Sequence, residues 1–226
     1  MQGTRPDIAF PISILSRFFA RPTRAQYQAL DGVLRYISGS IGLGIVYNKH
    51  DKKGLHAYSD ANWAGPLLNG DSRSTSGYAV FFAGGLISWC SKRQTSPALS
   101  STNSEYVAQG LLLRHIAHLL SFLSELLMPP TLPIRIYADN QGAQALAKNP
   151  VFHGRSKHIP LTWHAQRHMV NREEVEMVHT PTKYQAADGF TKPLNKEKFE
   201  RFKEFFKLEE GISSVCKHYS LFPMRF

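Results

Sequence analysis

The stretch that decides the fold is GLHAYSDANWA, residues 54–64. Its apolar residues precede a single acid, Asp60, which is typical of a buried or half-buried strand that ends on a carboxylate. A second stretch, LPIRIYADNQGA at residues 132–143, repeats this pattern and places Asp139 after its strand. In open α/β sheets, ligand-binding and active sites lie just beyond the carboxyl ends of the strands. If the two strands are parallel neighbours, about 4.8 Å apart, their carboxylates converge at a separation that suits a pair of divalent cations.

Composition and charge narrow the class of protein. The 226 residues are 42% hydrophobic and 12% aromatic, which is enough for a packed core and argues against disorder. Length favours one domain with appendages, or two small domains. The net charge of +10 favours a polyanionic partner such as a nucleic acid, although a merely soluble basic protein has the same balance.

The cysteines and the N-terminal segment argue against a zinc-binding, disulfide-rich or membrane-spanning protein. Cys90 and Cys216 form no CxxC pair, so the sequence predicts no zinc site and no disulfide framework, and indicates a reducing, intracellular setting. Residues 8–20 are apolar but short, and they contain Pro11 and Arg17. This pattern predicts an amphipathic helix, not a signal peptide or a membrane span.

The periodicity of apolar residues predicts a helical N-terminal region, then sequential strands, and then helices and strands in turn. A helix is expected to start near Thr23 and to stop at Gly39. Two glycines, Gly84 and Gly85, are a strong hairpin signal, so the strands around them are predicted to be antiparallel to each other and to the Asp60 strand. The predicted strands are 43–47, 55–60, 77–83, 86–91, 132–138 and 175–179, and the predicted helical segments are 101–127, 141–148, 184–190 and 196–208.

Two further acids fall where they can join Asp60 and Asp139. Glu105 lies on the apolar stripe of the long helix, near its start. It is either a first-turn acid that suits the helix dipole or a carboxylate aimed inward at a metal, because burying an unpaired charge is costly. Asp188 lies in the last short helical turn. A single acid after a strand is usually a turn residue, whereas four acids that can form one cluster favour a metal site.

Residues 153–174 are rich in cations and histidines. The segment has no HExxH pattern or matching Cys/His spacing for a metal. It is either a solvated basic helix or a surface that contacts phosphates. The phenylalanines of 196–208 are predicted to be core or interface residues.

Six stretches resemble the ribonuclease H region of copia-type LTR-retrotransposon polyproteins. They are TRPDIAF (4–10), YSDANWAG (58–65), DSRSTSGYAVFFAGGLISWCSKRQ (71–94), SSTNSEY (100–106), YADNQGAQALAKNPVFHGRSKHI (137–159) and TPTKYQAADGFTKPL (180–194). The resemblance covers about residues 4–208. Residues 1–40 resemble the helical tail of the adjoining reverse transcriptase, 41–210 the ribonuclease H-like domain, and 211–226 form a C-terminal tail. The Asp-Asp motif of reverse transcriptase is absent, so the chain alone should not synthesise DNA.

The resemblance implies an α/β fold of the ribonuclease H type. Its five-stranded mixed sheet has three antiparallel strands followed by two parallel strands, flanked by helices. The family's catalytic and metal-binding acids correspond to Asp60, Glu105, Asp139 and Asp188, with Asp60 central and Asp188 peripheral. The implied enzyme is an endonuclease that cleaves the RNA strand of RNA–DNA hybrids by in-line displacement. It would use two Mg²⁺ ions, with Mn²⁺ as an alternative.

The implied partners are an RNA–DNA hybrid and the reverse transcriptase portion of the same polyprotein, without a membrane. The expected location is the cytoplasm, in a retrotransposon particle, with the nucleus as an alternative. Hybrid recognition requires contacts to the 2′-hydroxyl and to an A-like shape. The candidate nucleic-acid-binding residues are Arg73, Asn103, Asn140, Gln141, Arg155, Lys157 and His158.

Two departures and two alternatives stay open at this stage. Relatives place a histidine shortly before the last acid, and here His179, His158 or neither takes that role. The SSTNSEY and ADGFTKP stretches differ from the sequences that are more common in the family at these positions. An integrase or transposase would order its acids Asp, Asp, Glu, and the second position of Glu105 argues against that. The other alternative is an inactive nucleic-acid-binding or structural remnant of a polyprotein.

Overall fold

The computed structural model describes residues 4–63, 72–143 and 161–210, without the side chains of 161–165 and 210. Within these ranges, the helices and strands follow the predicted order, except that one further strand follows the last helix. The helices are α1 (Ala9–Leu15), α2 (Arg24–Ser38), α3 (Ser101–Glu125), α4 (Leu161–Asn171) and α5 (Lys196–Phe205). The strands are β1 (Leu43–Ile45), β2 (His56–Asn62), β3 (Thr75–Phe82), β4 (Gly85–Arg93), β5 (Ile134–Ala138), β6 (Val175–His179) and β7 (Leu208–Glu210).

Five of the strands form one mixed sheet in the order β4-β3-β2-β5-β6. Strands β2, β3 and β4 are antiparallel neighbours, whereas β5 is parallel to both β2 and β6. This is the arrangement that the family resemblance implies, so the predicted fold class is confirmed. Because β2 lies at the centre of the sheet, the acid at its carboxyl end is surrounded by structure on both sides.

The hairpin between β3 and β4 forms as predicted, one residue earlier in the chain. Its two-residue loop consists of Ala83 and Gly84, whose φ angles are 51° and 70°. Positive φ at both loop positions is what a type I′ turn requires, and glycine adopts it without strain. Gly85 then starts β4, where a Cβ atom would lie 2.5 Å from the Tyr47 ring. The second glycine is therefore needed for close packing.

Helices cover both faces of the sheet. Alternating β3 side chains point to opposite faces, so Val80 packs with Leu112 and Ile116 of α3, while Phe81 packs on the other face with Phe202 of α5. All five side chains are buried. The prediction that the phenylalanines near the end of the chain are core residues is thus right for Phe202, which is 3% exposed.

The N-terminal helices are joined by a buried polar network. The Arg5 guanidinium lies 2.8 Å from the Asp7 carboxylate, and the Tyr36 hydroxyl donates to the same carboxylate at 2.6 Å. Arg5 also donates to the Ser40 carbonyl. These contacts fix the residues before α1 against the end of α2. The predicted helix over residues 8–20 is shorter than expected, since α1 is flanked by 3₁₀ turns at Pro6–Ile8 and Ser16–Phe18.

The predicted end of the last helix is wrong. The last helix, expected over 196–208, ends at Phe205, and Leu208 begins the strand β7. Lys207 adopts a left-handed conformation with φ 48°, which terminates the helix. Strand β7 then pairs antiparallel with β1, from Ile45 opposite Leu208 to Leu43 opposite Glu210. None of the helices in the described ranges combines the length and apolar composition needed to cross a bilayer.

Candidate metal-binding and active site

The register of the central parallel strands brings two acids to one edge of the sheet. Strand β2 pairs with β5 so that Tyr58 lies opposite Tyr137, and the two rings stack with centroids 4.8 Å apart. Asp60 and Asp139 each follow two residues later. This register brings the two acids to the same edge of the sheet, Asp60 within β2 and Asp139 directly after β5.

The N-terminal part of α3, just after its first turn, supplies the third acid, Glu105. The Ser100 hydroxyl caps this helix by accepting from the Asn103 N–H at 3.1 Å. The buried amide of Gln94 donates to the Ser104 carbonyl at 2.9 Å, which fixes the helix start against the end of β4. Glu105 is buried at this position.

Three carboxylates converge at this edge. One oxygen from each of Asp60, Glu105 and Asp139 lies within 4.8 Å of the others. Asp60 and Glu105 are only 2% and 6% exposed, whereas Asp139 is half-buried. Glu105 Oε2 has no hydrogen-bond partner among the described residues. A buried, unpartnered carboxylate oxygen is costly, and a cation bound by all three groups would remove that cost.

The fourth predicted acid, Asp188, lies beside this trio in a 3₁₀ turn, Asp188–Phe190. The turn is attached to β2 through Gln185, whose side-chain amide donates to the Ser59 carbonyl at 3.0 Å. On the side of β3, Gly77 permits close approach, because a Cβ atom there would lie 2.7 Å from Thr191 Cγ2. Asp188 is thereby held against the central strands.

The sequence interpretation missed three polar residues that contact the acids. The Thr191 hydroxyl donates to Asp60 Oδ2 in a short hydrogen bond, and the Thr182 hydroxyl donates to Asp139 Oδ2 at 3.0 Å. Lys192 Nζ lies 2.9 Å from Asp188 Oδ1. All three occur in the 180–194 stretch that carries the family resemblance, which was the available signal. Their individual partners depend on the fold.

Burial and mutual repulsion disfavour the charged forms of the acids. Burial is the larger cause of the raised Asp60 pKa, and the Asp188 charge adds to it. The pKa of Glu105 is raised by burial first, and then by Asp60 and Asp139. Burial also raises the pKa of Asp188, although Lys192 opposes the effect. Such crowding of carboxylates is typical of functional sites.

The donor set fits a hard divalent cation. Mg²⁺ and Mn²⁺ take oxygen ligands, and carboxylates are the protein groups that supply them with compensating charge. A bound cation would pair with the converging oxygens, including the unpartnered Glu105 Oε2, and would offset the repulsion that contributes to the raised Glu105 pKa. In the described part of the chain, no histidine or cysteine joins this group.

The predicted nucleic-acid-binding residues are only partly described. Asn103 is half-buried in the first turn of α3, and Gln141 is exposed. Asn140 Oδ1 accepts from the Ala143 N–H at 2.9 Å, so this side chain caps the helical turn that follows. Arg73 is half-buried. Arg155, Lys157 and His158 lie outside the described residues, and His179 is exposed at the end of β6. The nucleic-acid contacts stay predictions.

Comparison with known proteins identifies relatives over most of the chain, although no family model matches. The chain is 42% identical over 199 residues to the retrovirus-related Pol polyprotein from transposon RE1 of Arabidopsis thaliana, covering 88% of this chain and 13% of that protein. It is 41% identical to that from transposon RE2 of the same plant, at 88% and 14% coverage. The polyprotein from transposon TNT 1-94 of Nicotiana tabacum is 37% identical, at 90% and 15%. The chain thus spans about one seventh of these relatives.

Two solved structures illustrate the structural similarity. LC11-RNase H1, isolated from compost by a metagenomic approach, is 16% identical and has a TM-score of 0.42, with 73% of this chain and 99% of that chain covered. The foamy viral protease-reverse transcriptase in complex with an RNA/DNA hybrid is 13% identical with a TM-score of 0.42, covering 78% and 21%. The assignment of the fold rests on the observed strand order and directions.

Proposed function

Because the chain is a homologue of one segment of the Pol polyproteins of copia-type transposons, we propose that it is a ribonuclease that cleaves the RNA strand of RNA–DNA hybrids. The observation that carries this proposal is the convergence of Asp60, Glu105 and Asp139 within 4.8 Å at the carboxyl edge of β2 and β5. The strand order agrees with the ribonuclease H fold class, and the net charge of +10 suits a nucleic acid.

The acids have distinct tasks in this proposal. Asp60, Glu105 and Asp139 hold the divalent cations, and Asp188 contributes at the edge of the cluster. When bound, Mg²⁺ activates water as a nucleophile and stabilises negative charge on the phosphate and leaving oxygens. The protein prepares the ligands by orientation: Thr191 fixes Asp60, and Thr182 fixes Asp139. The Thr191 hydroxyl also lowers the pKa of Asp60, against the effect of burial, and so favours the ionised carboxylate that a cation needs.

Substrate selection is proposed to depend on side chains around the cluster. Hybrid recognition reads the 2′-hydroxyl and the helix shape, and exposed Gln141 and half-buried Asn103 are close in sequence to Asp139 and Glu105. Phosphate contacts are assigned to basic residues, including Arg73. The reverse transcriptase portion of a polyprotein is the proposed protein partner, because residues 1–40 resemble the tail of the reverse transcriptase that adjoins such a ribonuclease H region.

The proposal is tested with a labelled RNA strand annealed to DNA, in the presence of Mg²⁺. The unmutated protein is expected to cleave the RNA of the hybrid and to leave duplex DNA intact. Asp60→Asn and Asp139→Asn should reduce cleavage to background while hybrid binding, measured by fluorescence anisotropy, persists. Asp31→Asn, at an exposed position of α2, is the control and should cleave normally.

The outcome separates the enzyme from an inactive remnant. Binding of the hybrid by the unmutated protein without any cleavage would contradict the proposal and favour a nucleic-acid-binding module. Cleavage that survives both asparagine substitutions would show that the observed acid cluster is not the active site.

A further inference from the structure

Among the described residues, a lysine side chain is in direct contact with one of the four acids. Lys192 Nζ lies 2.9 Å from Asp188 Oδ1, with side-chain exposures of 33% and 11%. Asp60 and Asp139 also attract this ammonium group. It therefore provides positive charge within a cluster whose carboxylates otherwise repel one another.

The contact between Lys192 and Asp188 is one that a bound cation can replace. Lys192 Nζ lies 2.9 Å from Asp188 Oδ1, and the contact combines hydrogen bonding with the attraction of opposite charges. A divalent cation on the same carboxylate would supply that positive charge in place of the ammonium. A flexible lysine stem also allows the ammonium to withdraw towards solvent.

The chain places Lys192 here through rigid neighbours. The Thr191 hydroxyl forms hydrogen bonds with both the Asp60 carboxylate and the Asp188 backbone carbonyl. The Lys192 N–H donates to the same carbonyl at 3.2 Å. The backbone before Lys192 is therefore fixed against β2. These hydrogen bonds keep the Lys192 side chain close to the acids, as a role in supplying positive charge to the cluster requires.

We propose that Lys192 is a built-in counter-cation of the acidic cluster, which neutralises Asp188 in the metal-free protein and competes with a divalent cation for that carboxylate. Lys192 is a positioning residue in this role. The trio of Asp60, Glu105 and Asp139 then forms the higher-affinity part of the metal site, and occupancy at Asp188 requires displacement of the ammonium. This inference rests on the proposed function in one respect, that the cluster binds divalent cations.

The test measures metal binding in the absence of nucleic acid. Mn²⁺ is titrated into the whole chain and the free ion is followed by electron paramagnetic resonance. Lys192→Met should tighten Mn²⁺ binding by about tenfold or more, because it removes a positive charge from the neighbourhood of the ion. Lys203→Met makes the same change of net charge at a surface ion pair with Glu200 and should leave the affinity unchanged.

Two further variants separate charge from shape. Lys192→Arg keeps the charge and is expected to bind Mn²⁺ no more tightly than the unmutated protein. Lys192→Gln repeats the charge removal with a polar side chain, should Lys192→Met fail to fold. In an Asp188→Asn background, the gain from Lys192→Met should shrink, because the competed carboxylate is gone.

The possible failures are distinct. Unchanged or weaker Mn²⁺ binding by Lys192→Met and Lys192→Gln would overturn the counter-cation role while leaving the proposed nuclease intact. An equal gain in Lys203→Met would also overturn it, since net charge alone would then explain the effect. If the unmutated protein binds no Mn²⁺ through Asp60 and Asp139, the proposed function itself fails.

Discussion

Replacement of Glu105 by glutamine is expected to stabilise the metal-free protein, and to do so more strongly as the pH rises. The pKa of Glu105 is raised from 4.5 to about 9 by burial and by Asp60 and Asp139. The folded protein therefore keeps a proton that the unfolded chain releases above pH 4.5. Stability is lost as the pH rises from the unfolded value towards the folded one. Glutamine has nearly the same shape and does not titrate.

The magnitude follows from this difference in proton binding. At about 1.4 kcal/mol for each pH unit, retaining the proton from pH 4.5 up to pH 7 costs about 3 kcal/mol. At pH 5 the same cost is only about 1 kcal/mol. The free energy of unfolding of Glu105→Gln should therefore exceed that of the unmutated protein by these amounts, provided that EDTA keeps the cluster free of metal.

The assay is urea unfolding followed by circular dichroism at pH 5 and pH 7, with and without Mg²⁺. Glu125→Gln changes an exposed acid at the end of the same helix and should alter stability by less than about 0.5 kcal/mol. With Mg²⁺ present, the advantage of glutamine should decrease, because the ion stabilises the protein with an intact carboxylate. If Glu105→Gln in EDTA were less stable than the unmutated protein, or if the difference in stability did not change with pH, the reasoning that burial and the neighbouring acids raise the Glu105 pKa would be refuted.

Other substitutions test the packing around the site. Tyr36→Phe removes the hydroxyl that donates to buried Asp7 at 2.6 Å. It should lower the free energy of unfolding, measured in urea, by about 1.5–3 kcal/mol. Tyr27→Phe, at an exposed position of the same helix, is the control and should leave the free energy of unfolding unchanged. Gly77→Ala places a Cβ atom 2.7 Å from Thr191 Cγ2. The free energy of unfolding should therefore fall by about 1–3 kcal/mol, and Mn²⁺ binding should weaken. A variant as stable as the unmutated protein would contradict the close packing at this position.

The sequence determined much of the local structure of this protein. Alternating apolar residues located the central strands, and the long 3.6-residue pattern located α3, because these periodicities reflect which face of each element is buried. The hairpin followed from glycine near Gly84, which accepts a positive φ. The resemblance to the ribonuclease H family also indicates the four acids from the sequence alone.

Only the tertiary structure decided which groups meet. The parallel register that aligns Asp60 with Asp139 joins strands about eighty residues apart, and no local pattern specifies such pairing. The contacts of Lys192 depend on how the turn after Gln185 docks on β2. Strand β7 was missed for the same reason, since Leu208 becomes a strand only by pairing with β1. Short-range periodicity encodes burial, whereas partners across the sheet are set by packing of the whole chain.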